Sequence, residues 1–244
     1  MNEIMLTSDS DIKISVNHYS LPGKEAALIV CPGCFMTKDA AGFRRISEAF
    51  TGSYDVLAMD FRGHGRSSGL YTFTARETED LSAVVKFAKE KYSRIAVMGF
   101  SLGAATALVY AARYKDVESV IAVSAPTDFL KIENHFLKKE AVIPTVKKFE
   151  PGKSPSLRPG NIFLDKVKPI DVVSGISPIP VLFIAGDKDP IVHPHHAEEL
   201  YKKAMMPKAI EVFEGGFHAD DIYMQEEEKF IKVCKDWLSD TIGK

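Results

Sequence analysis

The sequence has few cysteines, no long apolar run and no block of like charge, and each absence excludes something. Three cysteines in 244 residues are odd in number and too few to describe a disulfide framework. No run of about 18 consecutive apolar residues occurs, so no membrane span is expected. The first residues, Met1-Asn2-Glu3-Ile4-Met5-Leu6-Thr7-Ser8-Asp9, lack a basic region followed by an apolar stretch and give no secretory signal. A cytoplasmic protein is the resulting expectation. The formal charge is −2, and the basic residues are not gathered into the clustered surface that a sequence-independent hold on nucleic acid requires. No nucleic-acid partner is expected, and the sequence carries no signature of an oligomeric state.

What is present is the composition of one globular domain: 45% hydrophobic and 26% charged residues. A chain of this length buries roughly 70–75% of its unfolded surface, enough for a sizeable core. Short apolar runs alternate with helix-period segments, the pattern of βαβ units and a parallel sheet. The runs are Ala27–Cys31, Asp55–Met59, Arg94–Met98, Ser119–Ser124, Val181–Ala185 and Ile210–Phe213, several apolar at nearly every position as strands covered on both faces are. Before them Ile12, Ile14 and Val16 alternate with Lys13, Ser15 and Asn17, which predicts an antiparallel edge hairpin with one wet face.

Helices are expected at three further places. Thr74-x-x-Glu77 reads as a capping box for a helix with Leu81, Val84, Val85 and Ala88 on its inner stripe. A helix beginning near Asp39 turns Phe43, Ile46 and Phe50 inward, and a last one turns in Phe230, Ile231, Cys234, Trp237 and Leu238 as core, not as a cofactor site. The alternation breaks once, between Thr127 and about Pro178, where five prolines fall inside the segment and no clear strand is seen. Long irregular segments inside compact domains usually serve function. Residues 127–178 are therefore expected to be a lid or cap insertion, partly helical over Phe129–Phe136 and Ile143–Phe149, with residues 1–126 and 179–244 forming the core domain.

Gly99-Phe100-Ser101-Leu102-Gly103 follows directly on one strand and opens a helix. A G-x-S-x-G in that setting is a nucleophile elbow. The sharp turn lifts the serine hydroxyl above the sheet, and the flanking positions must be small because strand and helix approach closely there. Amides at the helix N-terminus favour the negative charge that develops in acyl transfer.

With these residues in view the chain resembles the α/β-hydrolase superfamily over essentially its whole length. Asp60-Phe61-Arg62-Gly63-His64-Gly65-Arg66-Ser67 matches the D-x-R-G-H-G-x-S loop of many esterase-, lipase- and peptidase-like members. The resemblance implies a mostly parallel eight-stranded sheet with helices on both faces, and a structural role for Asp60 and His64. It also implies the chain order Ser, Asp or Glu, then His. In Gly186-Asp187-Lys188-Asp189-Pro190 the family position falls on Asp189, which Pro190 holds extended, while Asp187 suits a turn-stabilising role. The base falls on His218, in a glycine-bearing loop after the last strand. It takes the Ser101 proton while Asp189 fixes its tautomer. A serine at the elbow disfavours dehalogenase chemistry, whose ester intermediate needs an aspartate there.

The oxyanion donors are assigned to the amides of Leu102 and Cys34, with Phe35 as the alternative to Cys34. In that loop the family's His-Gly is replaced by Pro32-Gly33. Phe35, Phe100 and Ile191 are assigned to substrate contact. Cys31-Pro32-Gly33-Cys34 has the spacing of thiol redox sites, but no helix begins directly on it, so a redox role is not expected. His193-Pro194-His195-His196 offers too few well-spaced ligands for zinc and reads as the start of a helix, so neither metal nor cofactor is expected. The lysines at 138, 139, 147, 148 and 153 with Arg158 form a solvated face, or else attract anionic substrates. The expected activity is hydrolysis of small to medium acyl esters of small molecules through an acyl-enzyme. Thioesterase or acyl-transferase activity, a lipid- or peptide-directed hydrolase, and a catalytically silent binding or scaffold member are the alternatives.

Overall fold

The computed structural model describes residues 1–134 and 138–243. Its strands are β1 (Asn2–Thr7), β2 (Lys13–Tyr19), β3 (Ala26–Cys31), β4 (Asp55–Met59), β5 (Arg94–Phe100), β6 (Ser119–Val123), β7 (Val181–Gly186) and β8 (Lys208–Phe213). The helices are α1 (Ala41–Phe50), α2 (Glu77–Lys89), α3 (Leu102–Tyr114), α4 (Lys139–Lys147), α5 (Pro169–Val172), α6 (His195–Lys203), α7 (Asp220–Gln225) and α8 (Glu227–Thr241). The strands form one eight-stranded sheet in the order β1-β2-β4-β3-β5-β6-β7-β8. From β3 onward every strand pairs parallel, and β1 and β2 join antiparallel at one edge.

The strand order places the site. From β3 the chain crosses to β4 on one side, then returns to β5 on the other. The loops leaving β3 and β5 therefore diverge and open a crevice at the strands' carboxyl ends, where ligands of open parallel sheets bind.

Two cores pack the faces. Ala27, Ile29 and Cys31 of β3 meet α2, α3 and α6 on one face, while Ala26, Leu28 and Val30 meet α1, α7 and α8 on the other. The stripes Leu81–Val84–Val85–Ala88 and Phe43–Ile46–Phe50 lie buried as their periodicity predicts. No helix among the described residues is long and apolar enough to cross a membrane.

Two local expectations are corrected. Helix α2 starts at Glu77, three residues after Thr74, which itself sits at φ 79°. The threonine that works with Glu77 is Thr72: its amide donates to Oε1 at 2.6 Å, and its hydroxyl accepts the Arg76 amide at 3.0 Å. On β2 the expected wet face is exposed only at Lys13, because Ser15 and Asn17 are buried. The chain after β3 lays fully buried Lys38 over that face. There its ammonium meets Asp39 at 2.9 Å, Asp60 at 3.2 Å and Glu3 at 3.3 Å, while Ser15 donates to Glu3 at 2.7 Å.

The described residues of the segment 127–178 cross the carboxyl ends of the strands. A short 3-10 turn (Phe129–Lys131) comes first, and α4 begins at Lys139, four residues before the expected Ile143. Phe136 of the first expected helix lies outside the described residues. The return strap is fastened to the core by backbone bonds: Ser156 N–H to the Phe35 carbonyl (2.8 Å), Arg158 N–H to Gly63 (2.7 Å) and Gly160 N–H to Tyr71 (2.8 Å).

Candidate active site

Ser101 stands between β5 and α3 at φ 51° and ψ −120°, a conformation costing a non-glycine residue on the order of 1–3 kcal/mol. The surroundings enforce it. A Cβ on Gly99 would run into the Gly103 carbonyl and Ala104 backbone, and one on Gly103 into the carbonyls of Cys31 and Pro32. The Ser101 amide donates to the Val123 carbonyl at 2.8 Å, tying the turn to β6. Gly33 explains what survives of the family's His-Gly pair: a side chain there would sit 3.1 Å from the Ser101 Cβ.

His218 Nδ1 lies 2.7 Å from Asp189 Oδ2. The other Asp189 oxygen accepts the amides of Ile191 at 2.9 Å and Val192 at 3.0 Å, so the buried carboxylate is fully bonded. Burial pushes this carboxyl up, but attraction to His218, its hydrogen bond and the two amides outweigh burial and hold it below the ordinary range. With Nδ1–H committed to Asp189, the neutral ring keeps Nε2 as its base. Asp187 has another task, accepting the Gly215 amide at 2.6 Å in the loop ahead of His218.

A second strained residue follows the histidine: Ala219 at φ 55° and ψ −117°. Its amide donates to the hydroxyl of buried Ser124 at 3.0 Å, across 95 residues of chain. Ser124, itself at φ 50°, gave no signal in the sequence. Only the meeting of the segments that follow β6 and β8 reveals it.

Ser101 and His218 line one cavity of about 90 Å³, together with Gly33, Cys34, Phe35 and Leu102. Leu102 opens α3, so its N–H has no intrahelical partner. The Phe35 amide donates to His64 Nε2 at 3.1 Å, with Phe35 at φ 69°, and Cys34 lines the cavity beside it. His64 is buried outside the cavity wall. Its Nδ1 donates to the Arg62 carbonyl at 3.2 Å, and burial lowers its pKa to about 4, so it stays neutral.

Of the three residues assigned to substrate contact, Phe35 and Ile191 line the cavity and Phe100 does not. Phe100 is fully buried on the opposite face of β5, edge-to-face with Phe43 at 5.1 Å. The period-two alternation of the strand puts it with Ala96 and Met98, away from Ser101. The remaining wall comes from residues 127–178, where Phe129, Ile132, Ala141 and Pro144 supply apolar surface and Lys148 a charge. Burial alone would push the Lys148 ammonium down. Asp220 at 2.8 Å and Asp221 at 2.9 Å outweigh burial and keep it charged.

Cys31 and Cys34 are free thiols, and burial pushes both above the ordinary thiol range, against a redox pair. The histidine cluster acquires a partner invisible in the local sequence. Glu133 lies 3.3 Å from His195 Nε2 and 3.2 Å from His196 Nε2, and the three side chains are close enough to share an ion. However, the Thr127 amide donates to His196 Nδ1 at 3.1 Å, which places the ring proton on Nε2, facing Glu133. The arrangement is that of a hydrogen-bonded tie between the two segments.

A family model described as "alpha/beta hydrolase fold" matches residues 26–151. The uncharacterized protein YqkD of Bacillus subtilis is 31% identical over 199 residues, covering 76% of this chain and 62% of that protein. The human serine hydrolase BPHL is 22% identical, covering 95% of this chain and 87% of BPHL. The chain spans about three fifths of the length of several curated relatives it matches. Among solved structures, the Pyrococcus furiosus esterase Pf2001 superposes with a TM-score of 0.80 at 24% identity, covering 99% of this chain and 93% of that one. At that identity the likeness concerns the fold.

Proposed function

The chain belongs to the α/β-hydrolase fold family, and from that membership we propose that it is a serine hydrolase cleaving small to medium acyl esters, with Ser101, His218 and Asp189 as its catalytic triad. One observation carries this reading. A serine held in a strained elbow and a histidine paired at 2.7 Å with a buried aspartate line the same small apolar cavity.

In the proposed reaction the Ser101 Oγ attacks the ester carbonyl as its proton passes to His218 Nε2. The amides of Leu102 and Cys34 hold the oxygen that becomes negative. Asp189 stabilises the imidazolium, which returns the proton to the departing alcohol. Water, activated by His218, then releases the acid from the acyl-enzyme. Residues 127–178 act as a lid: α4 and the turn at Phe129–Lys131 roof the cavity, while the strap at Ser156–Gly160 stays fastened to the core. Phe35 and Ile191 contact the acyl group.

A fluorophosphonate probe should label the folded protein at Ser101, with labelling lost in Ser101→Ala and strongly slowed in His218→Ala. Labelling elsewhere, or none at all on folded protein, removes the hydrolase reading.

A further inference from the structure

Two grooves border the inner cavity, each sharing lining residues with it; both are mainly apolar, and one of them also carries lysines. The first is a groove of about 550 Å³ whose walls include Phe35, Phe73, Val142, Val146, Leu157 and Ile162, all apolar. Phe35 and Thr145 line both this groove and the inner cavity, so only these side chains stand between the two. The other, about 660 Å³, carries Lys139, Lys147, Lys148 and Lys188 against two carboxylates, Glu140 and Asp221, and it shares His218 with the inner cavity.

The charges in the second groove are unevenly matched. Lys148 is held by Asp220 and Asp221, and Lys188 lies 3.9 Å from Asp187. Lys139 and Lys147 have no carboxylate partner among the described residues. Residues 127–178 hold nine basic and six acidic side chains, against 22 and 27 in the rest of the chain. On the exposed side of α4, Val142, Ile143 and Val146 are 40%, 51% and 60% accessible, an apolar stripe between the two grooves.

Resting on the serine-hydrolase reading, the geometry points to an amphiphilic substrate: an acyl chain in the apolar groove, and a phosphate-bearing leaving group on the lysine-lined one. The proton path decides which part goes where. The leaving group must depart on the side of the imidazolium that protonates it, and His218 borders the basic groove. The acyl chain then runs the other way, past Phe35 beside the oxyanion loop. The bond formed is Ser101 Oγ to the carbonyl carbon. The bond broken is that carbon to the leaving oxygen or sulfur, which takes the serine's proton through His218. Water then cleaves the acyl-enzyme.

The test compares acyl chains from acetyl to dodecanoyl on four leaving groups: p-nitrophenol, glycerol, glycerol 3-phosphate and coenzyme A. On wild type, kcat/KM should rise about two- to fourfold per methylene beyond the short chain the inner cavity holds. Val146→Asp, an exposed change, should flatten that slope. At equal chain length the phosphate-bearing substrates should exceed a neutral monoacylglycerol by about tenfold at low salt, and the ratio should shrink in high salt. Lys139→Glu with Lys147→Glu should bring the ratio to one or below, with folding checked by thermal unfolding. Preference for the glycerol phosphate ester or for the coenzyme A thioester identifies the source of the phosphate, and either supports the assignment. Labelled, folded enzyme with a flat or falling chain-length profile, or with no preference for phosphate, overturns this inference alone. Failure of Ser101 to label overturns it together with the serine-hydrolase reading.

Discussion

Acidification should destabilise the fold through His64, and the size of the effect follows from its surroundings. The ring is 1% exposed, packs edge-to-face on Tyr71 at 4.5 Å, and has both nitrogens committed to the backbone of Arg62 and Phe35. Burial is the main cause that lowers its pKa to about 4; the Arg158 charge adds to it and the Arg62 carbonyl opposes it. In the unfolded chain a histidine titrates near about 6.5, and each unit of difference is about 1.4 kcal/mol, so His64 contributes about 3 kcal/mol of pH-dependent stability. Because the folded value is the lower one, the unfolded chain takes up the proton first. The contribution is whole above the unfolded pKa, is lost as pH falls from about 6.5 to about 4, and levels off below. His18 and His196 are also pushed down by burial and add slopes of the same sign, so the measurement must be a difference. Urea unfolding of wild type and His64→Gln at closely spaced pH values provides it. Wild type should lose about 3 kcal/mol more than the variant across that window. Parallel stability curves for the two proteins would refute a His64 held neutral by burial.

Asp189→Asn should lower kcat by about 10³–10⁴-fold, while Asp187→Asn, which only weakens a bond to Gly215, should cost far less; steady-state kinetics on one ester separates them. Ser124→Ala leaves the buried Ala219 amide without its acceptor and should cost about 1–3 kcal/mol of stability, with kcat falling more than KM changes because the loop carrying His218 loosens. An unchanged kcat would confine Ser124 to a structural role. Gly103→Ala places a methyl against the carbonyls of Cys31 and Pro32, so it should fail to give folded protein by circular dichroism; a native-like melt would contradict the close approach. Iodoacetamide should modify Cys31 and Cys234 of native protein slowly at about pH 8 and rapidly after denaturation, since both are buried and burial raises their thiols.

Features governed by a few neighbouring residues were legible in the sequence. The elbow at Ser101 depends on Gly99 and Gly103 within two positions on either side. The central strands showed as apolar runs because both sheet faces are covered. The inner stripes of α1 and α2 followed from helical period alone. Asp189 is preferred to Asp187 on the resemblance to the family's position and on the proline beside it, and the structure gives the two different partners. Tertiary structure decided what depends on segments distant in sequence. Local pattern suggested Thr74 as the partner of Glu77, but the turn before α2 brings Thr72 instead. The polar face of β2 looked wet until Lys38 was laid across it. Glu133 reaches the histidine cluster from more than sixty residues away, and Lys148 meets Asp220 across 72. Backbone sterics and side-chain period act over a few residues and leave a trace in the local sequence. The neighbours of a buried charge or a cavity wall are chosen when distant loops close over the sheet, and no short stretch of sequence records that choice.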